Sequence, residues 1–178
     1  NVGVLLRSEA IVKAFNEIEG MPITASSETK RKTLLKVIAA LFALEAIAFM
    51  SSFAVTFAIT ETGVFQGIGA LVALICRDEG LHTRMDYTVL DILLKDPTWV
   101  SSFDEIKSEI KLILDAVVEQ EIKWADYLFS EARNVVGLNA TLLKEYTLHM
   151  SYPVYKFLQV DFDHQVILEN PLPYMDKY

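Results

Sequence analysis

VIAALFALEAIAFMSSFAVTFAITE, residues 37–61, is the stretch on which the reading of this fold turns. Its charged residues are Glu45, near the middle, and Glu61, at the end, and no other charge interrupts the chain between Val37 and Cys76. No alternation of β-branched and polar residues bounded by turn signals runs through the chain, so no sheet is expected. A helix that is apolar on all sides belongs in a bilayer or in the core of a large helical protein. Val37–Thr60 is long enough to span a bilayer, for which about 20 apolar residues suffice. Glu45 would then sit near mid-membrane, which is costly, and the following interval Thr62–Cys76 is short and contains glycine. The preferred reading is a buried helix of a soluble bundle, with no membrane.

Working outward, Val2–Ile18 carries a rough helical stripe of apolar residues, and Gly20-Met21-Pro22 breaks it. Thr24–Ser27 is a loop with N-cap candidates, so a second helix starts near Ser27 or Glu28 and runs to about Glu61, roughly 50 Å long at 1.5 Å per residue. Gly63, Gly67 and Gly69 mark a break, a third helix covers about Ile68–Leu94, and Asp96-Pro97 ends it. Ser102 and Glu105 fit a capping box for a fourth helix over about Phe103–Asn134. Gly137-Leu138-Asn139 is a turn, Ala140–Leu158 a fifth helix despite Pro153, and Gln159–Tyr178 an extended C-terminal segment. The pattern is all-α, one domain over residues 1–178, with long helices suited to a bundle with a site in its core.

Composition narrows the function. The 178 residues hold 16 Lys+Arg against 24 Asp+Glu, a net charge of −8. That balance argues against a nucleic-acid-binding surface, which needs clustered bases. Lys30-Arg31-Lys32 reads as the solvated start of a helix. The single cysteine, Cys76, excludes an internal disulfide framework and fits a reducing, cytoplasmic compartment. The first residues show no basic region followed by an apolar run, so no secretory signal is expected.

The chemistry-bearing segment is Arg77-Asp78-Glu79-Gly80-Leu81-His82. Glu79-x-x-His82 on a helix places a carboxylate and an imidazole one turn apart on one face. Oxygen and imidazole nitrogen together suit iron or manganese. The competing reading is a surface helix pair; the preceding apolar run Ile68–Cys76 favours a buried helix. Glu45 is the second element. An ionised carboxylate among Ala39–Ala48 costs several kcal/mol unless paired. A hydrogen-bonded core glutamate and a metal ligand carry equal weight. Together the residues match half of the pattern of di-metal carboxylate bundles, which take a Glu from each of two helices and a Glu-x-x-His from the other two. The second half is absent: Tyr146 precedes His149 by three residues, and Asp161 precedes His164.

At this point the chain resembles the small, radical-generating subunit of class I ribonucleotide reductase. The resemblance runs from about Thr33 to Tyr178 and rests on ordered blocks: Leu44–Phe49 with Ser52-Phe53; Ala73–His82; Glu121–Phe129 with Gly137-Leu138-Asn139; and Asn170–Tyr174. It implies a ferritin-like bundle in which Glu45, Glu79 and His82 are metal ligands. It implies that Asp78 orients a metal-bound histidine and joins a radical-transfer chain, and that Phe49, Phe53 and Ile75 line the apolar pocket shielding a radical tyrosine. Trp124 and Tyr127 fall in a structural block, and Cys76 matches no ligand.

The family's N-terminal half, with an Asp, a Glu-x-x-His and the radical Tyr, has no counterpart here, nor does its C-terminal docking tail. The resemblance therefore implies the C-terminal half of a split or fragmented small subunit. A partner chain would carry the other ligands and the radical tyrosine, in a small-subunit dimer serving the large subunit. The implied cofactor is a di-iron centre (or Fe/Mn or Mn/Mn) with O2 as oxidant. The alternative is a homodimer in which two copies of Glu45, Glu79 and His82 complete a di-metal oxidase or metal-storage site.

Overall fold

The computed structural model describes the backbone of residues 2–131 and 133–178, and the side chains of residues 9, 11–131 and 133–178. Its elements are α1 (Val2–Glu19), α2 (Ser27–Ala43), a π-helical turn (Leu44–Ala48), α3 (Phe49–Glu61), α4 (Gln66–Leu93), α5 (Pro97–Leu128), α6 (Ala140–Leu158) and a 3-10 turn (Pro173–Lys177). Among the described residues the only β-type pairing is an isolated bridge between Val135 and Leu138. The fold is all-α, as expected.

Ser26 starts α2, its side chain accepting from the Thr29 amide at 3.1 Å. From there α2, the π turn and α3 form one continuous rod, Ser27–Glu61. By length and apolarity this rod could cross a membrane. Its large side chains, however, are buried within this chain: Leu35, Phe42 and Ile47 lie with Ile110, Leu114 and Tyr155 in the main core, and Phe57 with Leu143 and Leu172 in a second one. The rod ends where the break was read. Gly63 adopts φ +84°, a conformation glycine takes without steric cost. Gly69 serves packing instead. A Cβ there would lie 2.5 Å from Thr60 Oγ1, so its lack of a side chain lets α4 cross close to α3.

The start of α5 differs from the reading. Asp96 caps it, accepting from the Thr98 amide at 2.7 Å, and Pro97 occupies the first turn, where its missing N–H costs nothing. The proposed capping-box residues lie inside the helix and serve packing against α2. Ser102 Oγ donates to the Thr98 carbonyl and accepts from Arg31 Nε at 3.2 Å, while Glu105 pairs with Lys32 at 2.5 Å. The helix ends at Leu128 and not near Asn134, because Glu131 adopts φ +57° and Arg133 turns back to donate to the Tyr127 carbonyl. Helix α6 has the expected limits, capped by Asn139 on the Leu142 amide at 2.9 Å.

The C-terminal segment is extended but folds back onto α3. Tyr178 stacks on Phe57 with centroids 3.7 Å apart, and Tyr174 Oη donates to the Ala54 carbonyl at 2.8 Å. Helix α4 departs most from expectation. Its apolar run does not make it a buried helix: Ile68, Leu71, Leu74 and Ile75 are half or more exposed, and the buried residues are Gly69, Cys76, Asp86 and Leu90.

Candidate metal centre

Glu45 sits in the π turn. The Phe49 amide there donates to the Leu44 carbonyl, five residues back, so one extra residue is accommodated in the turn. Such turns inside α-helices often mark functional sites. This one packs against α4, where Glu79 and His82 lie one turn apart. The three side chains each offer a donor atom, and these atoms all lie within 4.8 Å of one another. His82 Nδ1 donates to Glu79 Oε2 at 3.1 Å and lies 3.8 Å from Glu45 Oε1. The nitrogen that faces both carboxylates is therefore the one a metal would take in exchange for its proton.

The electrostatics are those of a cation site. The hydrogen bond to Glu79 raises the His82 pKa above its ordinary value, with further help from the charges of Glu79, Glu45 and Asp78 and against a smaller desolvation effect. The Glu45 and Glu79 side chains are 14% and 13% exposed and that of His82 48%, so the acids are largely withdrawn from water while the imidazole stands at an open edge. Glu45 Oε2 is buried without a hydrogen-bond partner. A buried carboxylate oxygen left this way is costly, and a divalent cation would satisfy it. Two carboxylates and an imidazole suit iron or manganese, so the residues present fit the metal that the sequence implies.

The remaining candidates divide. Asp78 is exposed, with its carboxylate 3.6 Å from Arg77, and acts on His82 as a nearby charge. Phe53 is buried beside half-buried Phe49, with ring centroids 6.3 Å apart, and Cys76 joins the same cluster as a small core residue. Ile75 does not join them; it is 50% exposed on α4. His149 Nδ1 faces the Ile167 carbonyl at 3.0 Å, and His164 packs on Phe162, both apart from the metal group.

Sequence reasoning missed Asp86. It is buried on α4, where burial first and then a hydrogen bond with Glu45 push its carboxyl up to about 8. The available signal was spacing: Glu79, His82 and Asp86 stand at i, i+3 and i+7, on one helix face.

Comparison with known proteins gives the family and the fold. The family described as "Ribonucleotide reductase, small chain" matches residues 6–153. Ribonucleoside-diphosphate reductase 1 subunit beta of Escherichia coli O157:H7 is 30% identical over 164 residues, which cover 90% of this chain and 43% of that protein. Ribonucleoside-diphosphate reductase subunit M2 of Homo sapiens is 31% identical over 173 residues, covering 91% and 41%. The chain thus spans less than half the length of these relatives. Among solved structures, the ribonucleotide reductase R2 subunit from Clostridium botulinum superposes with a TM-score of 0.83 at 21% identity, over 99% of this chain and 53% of that one. A solved structure from Bacillus halodurans gives the same TM-score over 99% of this chain and 60% of that one. The all-α fold is accordingly the ferritin-like fold of these subunits. On the family match, and with the donor group at Glu45, Glu79 and His82, this chain belongs to the ribonucleotide reductase small-chain family.

Proposed function

We propose that this chain is the C-terminal half of a ribonucleotide reductase small subunit and supplies half the ligands of a di-metal site. The observation that carries the proposal is the meeting of Glu45, Glu79 and His82 within 4.8 Å, with Glu45 Oε2 left unpartnered. Glu45, Glu79 and His82 would hold iron, iron and manganese, or two manganese ions, which with O2 would supply the oxidising equivalent for a tyrosyl radical used by the large subunit to reduce ribonucleoside diphosphates. The rest of the proposal concerns what the chain's own residues do. Glu45 and Glu79 provide anionic oxygen from two helices, and His82 gives up its Nδ1 proton as it binds. Phe49 and Phe53 keep water from one flank of the site, and Ile75 faces outward to complete that dry wall against a second chain. Asp78, exposed beside the ligands, is free to orient a metal-bound histidine of that second chain.

One fact supports a partner. Helix α4 leaves Leu71, Ile75, Leu81 and Met85 exposed beside the donor group. The proposed partner is the N-terminal half of the small subunit, carrying the remaining ligands and the radical tyrosine; the assembly dimerises, docks on the large subunit and works in the cytoplasm, without nucleic acid or membrane.

The test is substitution of the donors in the assembled protein, read by metal content and by electron paramagnetic resonance. Glu45→Ala and His82→Ala should each abolish stoichiometric metal loading and the tyrosyl radical signal. Normal loading in both variants would refute the assignment.

A further inference from the structure

Ser51 on α3 and Thr147 on α6 are polar residues buried to 0% exposure. Their hydroxyl oxygens lie 3.0 Å apart across the contact between the two helices. They stand where the two apolar cores meet. On the rod, Ile47 and Ala48 belong to the main core and Met50 and Phe53 to the second; on α6, Tyr146 belongs to the second and Val154 to the main one. Ser51 also reaches the π turn, because its Oγ lies 3.1 Å from the carbonyl oxygen of Ile47, two residues past Glu45. Thr147 Oγ1 lies 3.0 Å from the Leu143 carbonyl oxygen within α6.

The two hydroxyls hold two hydrogens, and three contacts compete for them. If each donated within its own helix, two sets of lone pairs would face each other at 3.0 Å. The close approach is therefore favourable when one hydrogen lies between the helices. With Thr147 donating to Ser51, Ser51 donates to the Ile47 carbonyl, and hydrogen bonds run unbroken from α6 into the π turn. Such a pair adds little stability, since replacing both partners by apolar groups of the same shape can be nearly neutral. What it adds is direction. Apolar contact does not fix how a helix is rotated against its neighbour, whereas a buried polar pair can. The rod needs that hold. One extra residue in the π turn shifts the facing of every later side chain by about 100°, so the direction of Glu45 depends on how the rod is held just beyond the turn.

We infer that Ser51 and Thr147 are positioning residues: their hydroxyl pair locks the end of the π turn against α6 and so aims Glu45 at Glu79 and His82. The inference rests on the metal reading of the donor group.

The test uses the purified protein with any chain that copurifies, and Mn(II) alone as the probe, with free Mn(II) counted by electron paramagnetic resonance. The double variant Ser51→Ala with Thr147→Val should bind Mn(II) about fivefold or more weakly, less than the roughly 10- to 100-fold typical of groups that touch a ligand directly. Its metal-free form should melt within about 3 °C of the parent. In that form the Phe49 amide, which closes the π turn, should exchange its hydrogen faster. Ser51→Thr with Thr147→Ser, which exchanges the two hydroxyl residues, should bind Mn(II) like the parent. Unchanged affinity or unchanged Phe49 exchange in the double variant would overturn this inference alone, as would equal losses in the double variant and the exchanged pair. A larger fall in melting temperature in the metal-free double variant would make the effect structural and overturn it too. A parent that binds no Mn(II) would overturn the metal reading and this inference with it.

Discussion

Helices α4 and α5 are of similar length, 28 and 32 residues, and use their apolar residues in opposite ways. Helix α5 buries Phe103, Ile106, Ile110, Leu114, Val117 and Val118 against α2 and α6, so its apolar face is satisfied within the chain. Helix α4 turns Glu79 inward, holds His82 at an open edge, and leaves Leu71, Leu74, Leu81 and Met85 more than half exposed. A row of exposed large apolar residues marks an interaction surface more often than a solvated face. The difference separates a core completed within the chain from a helix that leaves large apolar residues uncovered, and Glu79 and His82 lie on that second helix.

That contrast can be broken by substitution. Ile110→Ala or Leu114→Ala in α5 should cost about 2–5 kcal/mol in denaturant unfolding, because both side chains are fully buried. Leu71→Ala in α4 should stay within about 0.5 kcal/mol in the chain without partners. Equal costs would erase the distinction between the helices.

The next effect sharpens it. Leu71→Asp together with Met85→Asp should weaken association with a copurifying chain by about 2 kcal/mol or more, the scale of an interface hot spot, as read by sedimentation. A fully solvated α4 face would leave the assembly unchanged.

Acidity probes the ligand face. Metal binding requires neutral His82, whose pKa is raised by Glu79, so Mn(II) affinity should fall about tenfold per pH unit once the pH drops below that raised value. The fall should therefore begin above pH 6.5, the ordinary histidine value. The metal-free protein should show the opposite sign. The His82–Glu79 contact stabilises it fully below the unfolded-state pKa, and that contribution is lost as the pH rises through the higher folded-state value. An affinity plateau reaching below pH 6.5 would contradict the contact. The smallest effect concerns the C-terminal segment. Tyr178→Ala should cost about 0.5–1.5 kcal/mol through its stack on Phe57.

These regions also show what a sequence can and cannot disclose. The rod from Ser27 to Glu61 and helix α6 were legible because long apolar stretches and side-chain caps act locally. The start of α5 was misread because Ser102 and Glu105 imitate a capping box, while Asp96-Pro97 supplies a cap and a fixed φ six residues earlier. Glu45, Glu79 and His82 were legible because a charge in an apolar helix and an i, i+3 pair are local signals. The π turn that presents Glu45 was not, since Leu44–Ala48 differs from its α-helical neighbours in hydrogen bonding rather than in composition. The burial of α4 was misjudged for a related reason: apolarity says that a residue seeks cover, not which chain provides it.

The central claim is that Glu45, Glu79 and His82 form half of a di-metal site completed by another chain. Native mass spectrometry of the purified assembly, with metals quantified on the same sample, tests it most directly. The account predicts this chain bound to a second, different chain, with two metal ions per pair. A homodimer holding two metals without another chain would contradict the split-subunit account, and a metal-free protein would contradict the site itself.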